Sequence, residues 1–180
     1  MTLPRVQNLV SMPADQHPEL LAAPVAAAVA AWAAADQVAV VEIDPDLADT
    51  ATMMEHFALP LTAGANCVVV AGKREGAERV AACVVRADTR VDVNNVVKKT
   101  LDVRKSSFLP LERAVGDTGM EYGGITPIGL PAHWRLLIDS RVLSMDVAII
   151  GSGLRRSKLL LPGALLARLP GAEVIEALGA

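Results

Sequence analysis

The sequence predicts one α+β domain built on a mixed sheet, and three observations carry that expectation. The chain has 180 residues and a mass of 18.9 kDa, the size of a single hydrophobic core. Its β-branched runs come singly and in hairpins, bounded by turn residues. Short helical patterns fall between them at irregular intervals, which argues against a regular βαβ winding. With 52% hydrophobic but only 3% aromatic residues, the core has to be mostly Val, Leu and Ala.

Taken in order, residues 1–19 read as an irregular or docked N-terminal tail and residues 20–180 as the domain. Pro24 suits the first turn of a helix running to about Ala35, with Trp32 its one bulky anchor and Asp36 and Gln37 ending it. Residues 38–43 form a β-branched run and read as a buried strand. Asp44-Pro45-Asp46 is a turn. Asp49 or Thr50 then caps a helix to about Phe57 or Ala58, with Met53, Met54 and Phe57 facing inward. Leu59-Pro60-Leu61 breaks it. Residues 68–70 and 80–85 read as two strands of a hairpin joined by residues 71–76.

Asp92 caps a further helix that lines up Val93, Val96, Val97 and Leu101 on one face and leaves Lys98 and Lys99 off it. Residues 111–118 form a short helix stopped by Gly119. Residues 134–138, 147–150 and 158–161 read as short strands, Pro162 opens a last helix, and residues 171–180 end the chain.

Several functions are excluded early. A net charge of −3 gives no global attraction to nucleic acid, so such a partner needs a local basic patch. Cys67 and Cys83 both lie in apolar runs and read as reduced core residues. No signal peptide is visible, and the apolar stretch 20–35 is alanine-rich, contains Pro24 and is too short to span a bilayer. A soluble cytoplasmic protein is the expectation. HExxH, CxxC pairs, a P-loop and GxSxG are missing. Gly151-Ser152-Gly153 resembles a dinucleotide loop, but Arg156 stands where the third glycine belongs. His17, His56 and His133 are scattered and form no metal ligand set, and His56, beside Glu55, reads as a surface or half-buried histidine. Neither cofactor nor metal is expected.

The most informative stretch is residues 121–130, where three glycines and one proline sit between a helical and a strand-like pattern. Glycine permits positive φ and close approach to the backbone. Pro127 fixes its own φ and pushes Thr126 toward an extended conformation. A stiff loop with N–H groups free to meet a ligand is expected, although composition alone would be met by an ordinary turn.

Gly123-Gly124-Ile125-Thr126-Pro127-Ile128-Gly129 resembles the GGISPLG segment of the YbaK/ProX family of aminoacyl-tRNA deacylases and prolyl-tRNA synthetase editing domains. Residues 67–70, 81–85, 92–101 and 147–169 resemble the family's first buried strand, its hairpin partner, its lysine-bearing helix and its closing segment, in that order. The resemblance runs from about Asp36 to Ala180. It implies a strongly curved mixed sheet packed by helices, with a pocket at one end. It also implies trans-editing, the hydrolysis of the ester of a mischarged aminoacyl-tRNA.

That chemistry asks for a positioned water and donors for the oxyanion, which backbone N–H groups can supply. The resemblance puts Gly123, Gly124 and Ile125 at the substrate's carbonyl end or terminal adenosine, with Thr126 and Pro127 stiffening the substrate-binding loop. It makes Gly151, Ser152 and Gly153 the facing turn. One residue departs from the pattern: Asn66 stands where many members carry lysine, and offers a neutral amide, about half as strong a donor. Asn66 either still orients the ester, or the domain is a noncatalytic module that binds tRNA, a nucleotide or a synthetase. A hydrolase for another small ester or thioester is a third reading. Lys98, Lys99, Arg104 and Lys105 form one basic cluster for tRNA, and Arg155 and Arg156, with Lys158 nearby, a second; either could also be an ordinary solvated face. Without stacking aromatics, a single-stranded acceptor end would be held by charge. The synthetase partner and the oligomeric state, a homodimer included, stay open.

Overall fold

The computed structural model describes residues 3–180 and folds them into two sheets with short helices on their faces. The first sheet comprises β1 (Met12–Pro13), β2 (Ala39–Glu42), β7 (Ala148–Gly151) and β8 (Ser157–Leu161). Its order is β1-β2-β8-β7 and every pairing is antiparallel. The second comprises β3 (Ala65–Arg74), β4 (Ala77–Arg86), β5 (Ser106–Phe108), β6 (Arg135–Asp139) and β9 (Ala172–Ile175). Its order is β5-β3-β4-β6-β9, antiparallel through β4 and parallel beyond it, so it is mixed as expected. A parallel bridge between Gly64 and Ile149 links the two sheets.

The main core lies between the sheets and under α1 (Ala23–Ala30). It gathers Val25, Val29, Val40, Val84, Ile138 and Leu159, a core of Val, Leu, Ile and Ala as the composition requires. The helix ends at Ala30 rather than Ala35. Buried Ala34 and Val38 draw the chain inward, and the segment tightens into turns, including the 3₁₀ turn Ala35–Gln37. Alanine's helix propensity says nothing about where burial will bend the chain. Asp49 caps α2 (Thr50–His56) through the Thr52 N–H at 3.0 Å, and Met53 and Met54 are its buried face. His56 is exposed, edge-on to Phe57.

The hairpin is longer than expected. β3 and β4 pair over their whole length, and the turn is only Glu75-Gly76, with φ of 52° and 81°. Two positive φ values mark a type I′ turn, which matches strand twist. Residues 71–74 are therefore strand. Gly72 is a packing glycine, since a Cβ there would meet the Lys105 carbonyl oxygen and Val103 at 2.5 Å.

Asp92 accepts from the Asn95 N–H at 3.0 Å and opens a π-helical turn, Val93–Val97, that runs into α3 (Lys98–Thr100). Val97 and Leu101 are buried, while Lys98 and Lys99 point to solvent. α4 (Leu111–Thr118) ends at Gly119 with φ 65°, and Asp139 caps the short α5 (Ser140–Leu143). The segment after Pro162 is a 3₁₀ helix, Gly163–Arg168.

β1 lies in the tail expected to be irregular or docked, and β5 and β9 in segments to which the sequence assigned no element. β1 pairs Met12 and Pro13 with β2, and Leu3, Val6 and Leu9 pack on the cluster that holds Met53, so residues 3–13 are docked. At the far end Asp139 is fully buried. It accepts from Arg141 Nε at 2.8 Å, Arg141 Nη2 at 2.9 Å, the Arg141 N–H at 2.9 Å and the Gly179 N–H at 2.7 Å. Burial alone would raise its pKa, but these donors overrule it and bring it to about 2.

Candidate functional site

The loop between α4 and β6 closes one end of the two sheets. Glu121-Tyr122-Gly123-Gly124 is a turn in which the Gly124 N–H donates to the Glu121 carbonyl at 2.9 Å. Gly123 takes φ +80°, the type II geometry that favours glycine at the third place. The loop is tied to the β7–β8 turn. The Gly153 N–H donates to the Gly124 carbonyl at 2.7 Å, and the Glu121 N–H to the Gly153 carbonyl at 2.8 Å. The approach is too close for side chains: a Cβ on Gly124 would lie 2.8 Å from the Gly153 and Leu154 backbone, and one on Gly151 2.3 Å from the Gly124 oxygen.

Against this double turn, β3 and the start of α2 enclose a cavity of about 330 Å³. Asn66, Gly123, Ile125 and Gly151 line it. The N–H groups of Gly123 and Ile125 have no backbone partner among the described residues, whereas that of Gly124 is used within its own turn. Asn66 accepts from the Thr50 hydroxyl at 2.7 Å. Gly124, Thr126, Pro127, Ser152 and Gly153 are buried and do not line the cavity. Thr126 is packed away with an unpartnered hydroxyl, and Pro127 borders a separate apolar cavity near Trp32 and Trp134. Ser152 bonds Ser157 Oγ at 2.7 Å and so braces the turn from inside.

The basic residues divide. Arg155 does not line the cavity but lies beside the glycine turn, its guanidinium donating to the Pro45 carbonyl at 2.9 Å and to that of Tyr122 at 3.4 Å. Arg156 turns away to the Glu19 carbonyl. Lys98 and Lys99 border a different depression with Asn94, Asn95 and Asp102, and Arg104 and Lys105 a third beside Arg113.

Three features of the cavity escaped sequence reasoning. Lys158, the second residue of β8, is only 4% exposed; it lines the cavity and its Nζ donates to the Ala48 carbonyl at 2.6 Å. Burial pushes its pKa down to about 8, with Asp49 opposing the shift and Arg155 adding to it. The legible signal was a lysine flanked by Ser157 and three leucines in a strand too apolar for a surface charge. Phe108 and Tyr122, 60% and 62% exposed, both border the opening, so stacking aromatics are present after all. Cys67 also lines the cavity, so only Cys83 is a pure core thiol.

Residues 44–169, more than two-thirds of the chain, match the family model of the aminoacyl-tRNA editing domain. The chain belongs to that family. Its editing-domain fold is shared by a solved structure described as a candidate trans-editing enzyme for prolyl-tRNA synthetase, at 17% identity and a TM-score of 0.73 over 92% of this chain and 96% of that one. The hypothetical protein APE2540 shares it at 21% identity and a TM-score of 0.68, over 76% and 88%. A scaffold protein used for epitope backbone grafting does so at 16% identity and 0.70, over 92% and 96%. No curated protein matches the chain. Among the described residues of this editing domain, no His, Cys, Asp and Glu groups are placed to hold a metal, and no helix is long and apolar enough to cross a membrane.

Proposed function

We propose that this editing domain is an aminoacyl-tRNA deacylase that hydrolyses the ester of mischarged aminoacyl-tRNA after release from the synthetase. The observation that carries the reading is the pair of unengaged N–H groups, Gly123 and Ile125, on the wall of a small cavity. An aminoacyl ester needs little more than preorganised donors at the developing oxyanion and a water; one such donor contributes ~3 kcal/mol. The cavity wall from Val68, Val69, Leu109 and Ala114 is apolar and suits a small side chain, which size selects against larger ones.

The partner is the acceptor end of a tRNA in the cytoplasm. Phe108 and Tyr122 line the cavity as exposed rings that support stacking of a terminal base, and Arg155 adds charge beside Tyr122. The outlying clusters Lys98, Lys99, Arg104 and Lys105 would meet only more distant phosphates. Asn66 favours a second reading, a binding module without turnover.

Incubation with tRNAs each charged with one amino acid, including Ala-tRNA(Pro) and Cys-tRNA(Pro), separates the two. Ester loss above the uncatalysed rate on a subset is expected. Affinity for the charged tRNAs with no ester loss on any would leave the binding module.

A further inference from the structure

The editing cavity lacks a lysine on β3, yet it is not without a cation. β8 lies between β2 and β7, with Lys158 opposite Val41 and Gly151. Cross-strand partners share a face. A Cβ on Gly151 would run into the carbonyls of Gly124 and Ile125, so that face looks toward the glycine loop, and Lys158 leaves β8 on the same side. Its Nζ bonds one acceptor, the Ala48 carbonyl, and an ammonium carries three donors. The charged and titratable groups around it are Asp49 on the α2 cap, Arg155 beside the Tyr122 carbonyl, and Cys67 and Tyr122 among the lining residues.

Resting on the deacylase reading, we propose that the Lys158 ammonium supplies from β8 the charged donor that Asn66 cannot supply from β3, binding the ester's carbonyl oxygen and the oxyanion that forms from it. The step is a hydrolysis. The oxygen of water bonds to the carbonyl carbon, the bond from that carbon to the ribose oxygen breaks, one proton of the water ends on the ribose oxygen, and the other passes to solvent as the released carboxylic acid ionises. Lys158 keeps its protons throughout. Its low pKa follows from the same burial and sets an upper pH limit, because the neutral amine above about pH 8 loses the charge that the oxyanion needs.

The test compares Lys158→Met, and Lys158→Met combined with Asn66→Lys, against the unaltered chain on charged tRNA, from pH 6 to pH 10. The single variant is expected to lose ~100-fold in kcat with KM within about threefold, as for loss of one oxyanion donor, and to lose the fall in rate above pH 8. Moving the lysine to β3 in the double variant should recover at least tenfold. A single variant that keeps the full kcat, or retains the alkaline fall, overturns the assignment of the charge to Lys158. Should the unaltered chain deacylate no tRNA, the deacylase reading fails. The lysine is then tested by calorimetry with a non-hydrolysable 3′-aminoacylamido-adenosine. Binding weakened at least tenfold by Lys158→Met upholds it as the carbonyl donor; equal affinity, or no binding by either protein, overturns it.

Discussion

Among the described residues, Asp139 and Lys158 are the two most deeply buried charges, at 0% and 4% exposure, and they are treated oppositely. Asp139 collects four donors, and its pKa falls to about 2. Lys158 has one acceptor, and its pKa falls to about 8, in the direction that disfavours its charge. A carboxylate stabilised below its usual pKa favours the folded state. An ammonium destabilised below its usual pKa opposes it. Saturated burial marks scaffold, whereas unsaturated burial beside a cavity marks a site kept ready for something else.

Removing each charge is the most direct way to break this contrast. Asp139→Ala leaves the Gly179 N–H without its acceptor and removes the ion pair from Arg141, which keeps the Gly179 carbonyl, and should cost about 2–3 kcal/mol in urea unfolding at pH 7. In the unaltered chain the same carboxylate should make stability fall by about 2 kcal/mol as pH drops from about 4 to about 2, since its contribution is present only while it is ionised. Gly151→Ala attacks the site's frame instead. Its Cβ would sit 2.3 Å from the Gly124 oxygen, so the two turns must part, with a loss of about 2–3 kcal/mol and of most activity.

Lys158→Met should shift stability the other way, up by about 2 kcal/mol at pH 7. That gain should shrink toward pH 10, where the lysine of the unaltered chain is itself neutral in the folded state. The smallest effect belongs to the rim. Tyr122→Ala or Phe108→Ala should raise KM about fivefold, near 1 kcal/mol for a stacked base, with kcat and stability unchanged.

Much of the frame was legible in the residues. The runs at 38–43, 80–85 and 134–138 became β2, β4 and β6, because β-branched and leucine-rich segments between turn residues have little else to form. Asp49, Asp92 and Gly119 fell where caps belong. What stayed hidden depends on partners distant in sequence. β1, β5 and β9 are two to four residues long and exist because a neighbouring edge pairs them. Gly72 looked like a turn residue but makes room for Val103. At the site, Gly123, Ile125, Asn66 and Gly151 do converge. The loop's glycines serve different needs, though: Gly123 for its φ and Gly124 for the contact with the facing turn. Lys158 was seen as one more basic residue after that turn, because strand order and burial, which local sequence does not reveal, carry it inward.

Cys67 adds a chemical consequence. Cys67 is among the residues that line a cavity proposed to receive an activated acyl group, where a thiolate would compete with water and carry the amino acid away as a thioester. Burial, with Cys83 nearby, raises the thiol's pKa and keeps it protonated. Burial of that thiol therefore protects the protein from acylating itself there, and leaves the amino acid to be passed to water.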